Sequence, residues 1–178
     1  MAHNVLVLVS HPTLENSRIN DALVEAASKV NNVTVRHLDE ILSNNGGHFP
    51  VAEEQSVIAE HQSIVLQFPW YWYAAPATLK LYLDEILTRG WAYAGGTALE
   101  GKKLLCAIST GGPAEAYGPD GNNKYTMDTL LSPLKATANM TRLVWQEPFI
   151  VHGVRHISDE QLQEICTEYQ EVLLQLTD

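Results

Sequence analysis

Apolar and polar positions along this chain follow two rhythms. Short unbroken apolar runs alternate with stretches in which apolar residues recur every three or four positions. The run HNVLVLVS (3–10) reads as a strand buried on both faces. Residues 17–30 then place Ile19, Leu23, Ala26 and Val30 on one stripe, which predicts a helix. NNVTVRHL (31–38) is more polar and predicts an edge strand, and NNGG in the stretch that follows is a turn signal. Residues 51–61 predict a helix, and SIVLQF (63–68) a third strand. The next helix spans 76–87, with Pro76 in its first turn, Leu79, Leu83, Ile86 and Leu87 as its stripe, and Gly90 at its end. KKLLCAIST (102–110) is a buried strand, residues 128–139 a helix, and LVWQEPFIVHG (143–153) holds one last strand. Ser158 and Gln161 form a capping-box pair that opens a final helix, whose stripe is Leu162, Ile165, Tyr169, Val172 and Leu176.

Five strand–helix units predict an α/β fold: a doubly wound, five-stranded parallel sheet with helices on both faces. The chain has 178 residues and no internal repeat, so a single domain over 1–178 is expected. In such sheets a ligand lies outside the carboxyl ends of the strands. The loops after strands one, three and four are therefore where chemistry is sought.

Charge narrows the classes. With 11 Lys and Arg against 21 Asp and Glu, the net charge is −10, which opposes a nucleic-acid footprint. A small anion needs only a few helix amides and one cation. No apolar run is long enough to span a membrane. MAHNVLVLVSHP lacks a basic leader and reads as a first strand, so a cytoplasmic location is expected. Cys106 and Cys166 each lie in a periodic apolar segment and read as buried thiols.

The first loop, SHPTLENSRIN (10–20), contains neither GxGxxG nor a P-loop. It offers His11, Thr13, Asn16, Ser17, Arg18 and Asn20 around a helix N-terminus, a place for a phosphate. Ser17 reads equally as a plain helix cap. The second loop, FPWYWYAAPA (68–77), holds Trp70, Tyr71, Trp72 and Tyr73 between Pro69 and Pro76. It suits a planar ligand, and suits a local aromatic core or subunit contact equally well. In the third, STGGPAEAYGPDG (109–121), Thr110, Gly111 and Gly112 leave little side-chain bulk, so backbone amides can approach a ligand, although a glycine pair after a strand is more often just a turn. All three leave the same sheet edge. Together they describe a planar heterocycle bearing a phosphate, a flavin. His152 and His156 lie across a strand end and carry no metal expectation. Trp91 and Tyr93 read as packing with interface contact, and Glu53 and Glu54 as a solvated helix face.

Several elements together resemble the flavodoxin-like NAD(P)H:quinone oxidoreductases, over nearly the whole chain. They are His11-Pro12 with Ser17 and Asn20; Pro69, Trp72, Tyr73, Pro76, Leu79 and Lys80; RGWAYAGG (89–96); and the STGG loop. The resemblance is closest to the short bacterial members, which include ancillary proteins of glutathione-gated potassium efflux. It implies strand order 2-1-3-4-5. It also implies FMN, or alternatively FAD, with its phosphate on His11 and Ser17, Arg18, Ile19 and Asn20. The ring would lie against Pro69 and Trp70 to Tyr73, its pyrimidine edge facing Ser109 to Gly112. NAD(P)H as co-substrate, a quinone acceptor, a ping-pong order and a homodimer with shared sites follow from the same likeness. Tyr117 matches a family catalytic tyrosine, while Asn123 stands where longer members carry a histidine. A regulatory role on a potassium efflux transporter is the second expectation, and a one-electron flavodoxin carrier a third.

Overall fold

The apolar runs pair in parallel. The computed structural model describes residues 3–177. Its strands are β1 (Val5–Val9), β2 (Val33–His37), β3 (Ser63–Pro69), β4 (Lys103–Ser109), β5 (Val144–Trp145) and β6 (Phe149–Val151). They form one sheet in the order β2-β1-β3-β4-β5, with β6 also beside β4. The predicted order holds, with a sixth strand added.

The single last strand of the sequence reading is thus two short ones. Leu104 pairs with Trp145 and Ala107 with Phe149. Three steps on β4 therefore face four on the edge, so one extra residue interrupts the ladder. Pro148 stands in this gap and has no N–H to offer β4.

Side chains of β1 alternate between two cores. Leu6 and Leu8 face Leu38, Ile58, Leu79, Tyr82 and Ile86. Val5, Val7 and Val9 face Ile19, Leu23, Ala27, Tyr169 and Leu173. The first layer is built by α2 (Leu38–Asn44), α3 (Val51–Ala59), α4 (Ala77–Ile86), α5 (Met127–Leu130) and α6 (Ser132–Thr141). The second is built by α1 (Arg18–Ala27) and α7 (Asp159–Thr177). A Leu side chain fully buried this way contributes about 2 kcal/mol.

Several boundaries shift for local reasons. Pro76 is the cap of α4 rather than part of its first turn. The helix expected over 128–139 divides at Leu131, just before Pro133. The seven-residue α2 precedes the NNGG turn, whose Gly46 and Gly47 take φ of 67° and 88°. The α7 cap is as expected: Gln161 N–H donates to Ser158 Oγ (3.2 Å), and Ser158 N–H to Gln161 Oε1 (2.9 Å).

Glu54 overturns its expectation. It is fully buried, ion-paired with Arg36 of β2, and accepts a hydrogen bond from Tyr82 Oη at 3.1 Å. Glu53 does remain exposed and joins the same Arg36 at 3.0 Å. Both cysteines are free; Cys106 is buried and Cys166 only half-buried. Burial pushes the Cys106 thiol up to about 12, so it stays protonated and inert. Among the described residues no helix is long and apolar enough to cross a membrane.

Candidate functional site

The loops after β1, β3 and β4 converge on one cavity of about 390 Å³ at the carboxyl edge of the sheet. That volume falls within the usual range for small-molecule sites, about 300–1,000 Å³.

In the first loop Ser17 caps α1, its Oγ accepting the Asn20 N–H at 3.3 Å. The amides of Arg18 and Ile19, in the first turn, have no intrahelical acceptor and lie at the positive end of the dipole. Cap and anion site are therefore the same structure. His11 Nδ1 accepts the Thr13 N–H at 3.1 Å. A neutral His11 ring then carries its proton on Nε2, as a donor. Burial lowers the His11 pKa, opposed by nearby Asp39 and Glu15, so the neutral ring prevails at pH 7.

Three residues of this loop do work other than direct polar contact. The Arg18 guanidinium reaches away to Asp159 Oδ1 (2.5 Å) and Ile157 O (2.9 Å). Ile19 buries its side chain in the core beside Val7 and Leu23. Asn20 Nδ2 joins Ser17 Oγ (3.1 Å) to Ser109 Oγ (3.0 Å), bracing the first loop against the third. Below it, Gln67 Nε2 donates to Asn20 O (3.0 Å), and Tyr169 Oη donates to Gln67 Oε1 (3.1 Å). The wall of the cavity is thus pinned to β3 and α7.

The aromatic stretch divides in two. Pro69, Trp70 and Tyr71 line the cavity, with Trp70 N–H bonded to Ser109 O at 2.8 Å. Tyr71 and Ala74 exchange two backbone hydrogen bonds of 3.0 Å, closing a two-residue hairpin. Trp72 and Tyr73 form its tip at φ of 47° and 64°, the signature of a type I′ turn. The Trp72 side chain stands 93 % exposed. Tyr73 Oη bonds Asn123 Oδ1 at 3.0 Å, so neither tip residue lines the cavity.

In the third loop Ser109 and Gly111 reach the cavity. Among the described residues, the amides of Gly111 and Gly112 donate to no protein acceptor. Thr110 is buried, its N–H on Val151 O (2.8 Å) and its Oγ1 on Gly112 O (2.8 Å). Tyr117 covers Gly112: a Cβ there would meet its ring at 3.5 Å.

Sequence reasoning missed the loop after β6. Val154 and Arg155 line the cavity. Arg155 is exposed and makes no ion pair among the described residues, so the free cation at this site is Arg155 rather than Arg18. The signal was available, since VHGVRH leaves the same sheet edge as the other three loops. His152, read only against a metal, instead contacts Thr110 Oγ1 at 2.9 Å.

Residues 3–173 match a family model described as a flavodoxin-like fold. The chain is 41 % identical over 175 residues to the glutathione-regulated potassium-efflux system ancillary protein KefG of Pectobacterium carotovorum. That match covers 95 % of this chain and 92 % of the relative. A solved NADPH-quinone reductase from P. pentosaceus superimposes with a TM-score of 0.85 at 32 % identity, over 95 % of this chain and 96 % of that one. The chain belongs to the flavodoxin-like NAD(P)H:quinone oxidoreductase family. Another structure in this comparison is general stress protein 14 of Treponema denticola in complex with FMN. It matches with a TM-score of 0.87 at 34 % identity, over 97 % of each chain. Relatives that share this fold thus include one whose ligand is a flavin.

Proposed function

We propose that this chain binds FMN at the carboxyl edge of its sheet and carries two electrons from NADH or NADPH to a quinone. The observation that carries this reading is a donor set gathered in one cavity. Anion donors line it: the α1 amides, the Ser17 hydroxyl, His11 Nε2–H and Arg155. Flat walls, Trp70 and Tyr71, line the same cavity as Gly111, whose amide is bare, as is that of Gly112 next to it. These residues fit a phosphate joined to a planar, hydrogen-bonding ring. A second cavity of about 370 Å³ shares His11 but is lined by Glu15, Asp39 and Glu40. Those carboxylates oppose a second phosphate, which favours FMN over FAD.

A bound flavin supplies hydride acceptance and donation. The protein supplies position and charge. The α1 terminus and Arg155 would hold the phosphate. The Gly111 and Gly112 amides would hold the ring edge and stabilise negative charge there, the logic of an oxyanion hole. Tyr117 Oη, beside Gly112, donates a hydrogen bond to the carbonyl of the acceptor. One site serving NAD(P)H and then the quinone would give a ping-pong order. A second copy of the chain completes the site, giving the exposed Trp72 a surface to cover.

The test is anaerobic NADPH added to FMN-loaded protein, followed by a quinone. Bleaching of the oxidised flavin band and its return on quinone addition support the reading. Failure to take up FMN sinks it. The likeness to KefG favours a second reading, a cytoplasmic ancillary subunit docked at the inner face of a potassium efflux transporter. Co-purification with that transporter from membranes tests it.

A further inference from the structure

We propose that His152 is a positioning residue: its Nδ1–H holds Thr110 Oγ1, and through it the Gly111 and Gly112 amides, at the edge of the cofactor cavity. One hydrogen decides the geometry. The Thr110 hydroxyl has a single proton, and Gly112 O, 2.8 Å away, can only accept it. The 2.9 Å contact between Thr110 Oγ1 and His152 Nδ1 is then made by the imidazole N–H. This fixes the neutral tautomer as Nδ1–H, opposite to that of His11.

The rest of the loop is arranged around this contact. Gly112 O also accepts from Gly153 N–H at 2.9 Å, and Thr110 O accepts from Val154 N–H at 3.1 Å. The carbonyls of Thr110 and Gly112 are thus engaged by the β6 loop, while the Gly111 and Gly112 amides donate to no protein acceptor among the described residues. Thr110 is fully buried. Without the imidazole its hydroxyl loses a partner where water cannot replace it, and the hold on Gly112 O weakens.

His152 also supports Tyr117. Their ring centroids are 5.3 Å apart and the planes are inclined by 36°. The two rings pack in a tilted arrangement, with no hydrogen bond between them among the described residues, so the imidazole supports Tyr117 through ring contact. Burial lowers the His152 pKa against the raising effect of Glu115, which favours the neutral ring, and the Nδ1–H contact stands in either protonation state.

The consequence for cofactor binding rests on the flavin reading, but the brace itself does not. The experiment therefore has two parts. Long-range ¹H–¹⁵N spectra of histidine-labelled full-length protein without cofactor are expected to place the His152 proton on Nδ1. His152→Asn, whose amide can donate from nearly the same point, identifies the signal by its loss. FMN dissociation constants are then measured for the wild type, His152→Asn and His152→Ala. The expectation is a loss of about tenfold for Ala, the worth of one buried hydrogen bond, and near-complete rescue by Asn. An Nε2–H tautomer, or equal losses for Asn and Ala, overturns the proposal. A wild type that binds no FMN removes the flavin reading alone, because the tautomer is read without it.

Discussion

Tyr73 Oη donates a 3.0 Å hydrogen bond to Asn123 Oδ1, fifty residues away in the chain. It ties the aromatic hairpin after β3 to the loop after β4, on the outer side of the cavity. The pair is solvent-exposed, so its loss costs less than about 1 kcal/mol of stability. The expected effect of Tyr73→Phe is local: faster amide exchange over residues 118–124 with an almost unchanged unfolding midpoint. Unchanged exchange there would show that the contact does not restrain the loop.

The two arginines near α1 are expected to behave differently. Both line the cavity, but Arg18 already has Asp159 as its partner, whereas Arg155 has no ion pair among the described residues. Arg155→Ala is predicted to weaken FMN binding by about tenfold, and to flatten its dependence on salt. Arg18→Ala is predicted to change it by less than about twofold. Titration at two ionic strengths checks both, and the reverse order would return the phosphate to Arg18.

Glu54 is buried with Arg36 and Tyr82 as its partners. Removing one charge alone strands the other, so Glu54→Ala is predicted to cost about 3–5 kcal/mol. The double variant Arg36→Met with Glu54→Leu is predicted to recover most of that loss. Urea unfolding of the three proteins measures it. A double variant as unstable as the single one would mean that shape, not charge, sets the cost.

Acid is predicted to destabilise the fold before the carboxylates titrate. Burial lowers the pKa of His11 and of His152, against Asp39 and Glu15 at the first and Glu115 at the second. The unfolded chain, with histidines near 6.5, then binds more protons than the folded one. Their contribution is complete above about 6.5 and is lost as pH falls toward the lower folded values. The urea midpoint is expected to fall between about pH 7.5 and 5.5, and to fall less in a His11→Asn, His152→Asn double variant. An equal fall in both proteins would assign the effect elsewhere.

The central sheet was legible because β1 and β3 are buried along their whole length and β4 along nearly all of it, which leaves unbroken apolar runs. The edge was not: β5 and β6 are part-exposed and broken by an added residue, a feature of pairing rather than of composition. α2 was hidden by its brevity and by the glycine turn beside it. The cavity residues of the first three loops were found from the sheet-edge rule, and Val154 and Arg155 were lost by not applying it to the last strand. Arg18 shows a different limit. Its direction is set by Asp159, 141 residues away, and no local pattern carries that information. Glu54 was misread because its partners lie on β2 and α4.

The hairpin at Trp72 and Tyr73 has a bearing on how this protein can be improved. Asn-Gly is the favoured pair for such a turn, and a bulky residue held left-handed costs about 1–3 kcal/mol. A screen for heat resistance would therefore drift toward Trp72→Asn and Tyr73→Gly, giving up the rings to relieve the backbone. Such a variant would be sturdier and would present a smooth rim where the wild type presents an indole. Thermal selection and selection for turnover are expected to pull this one dipeptide in opposite directions.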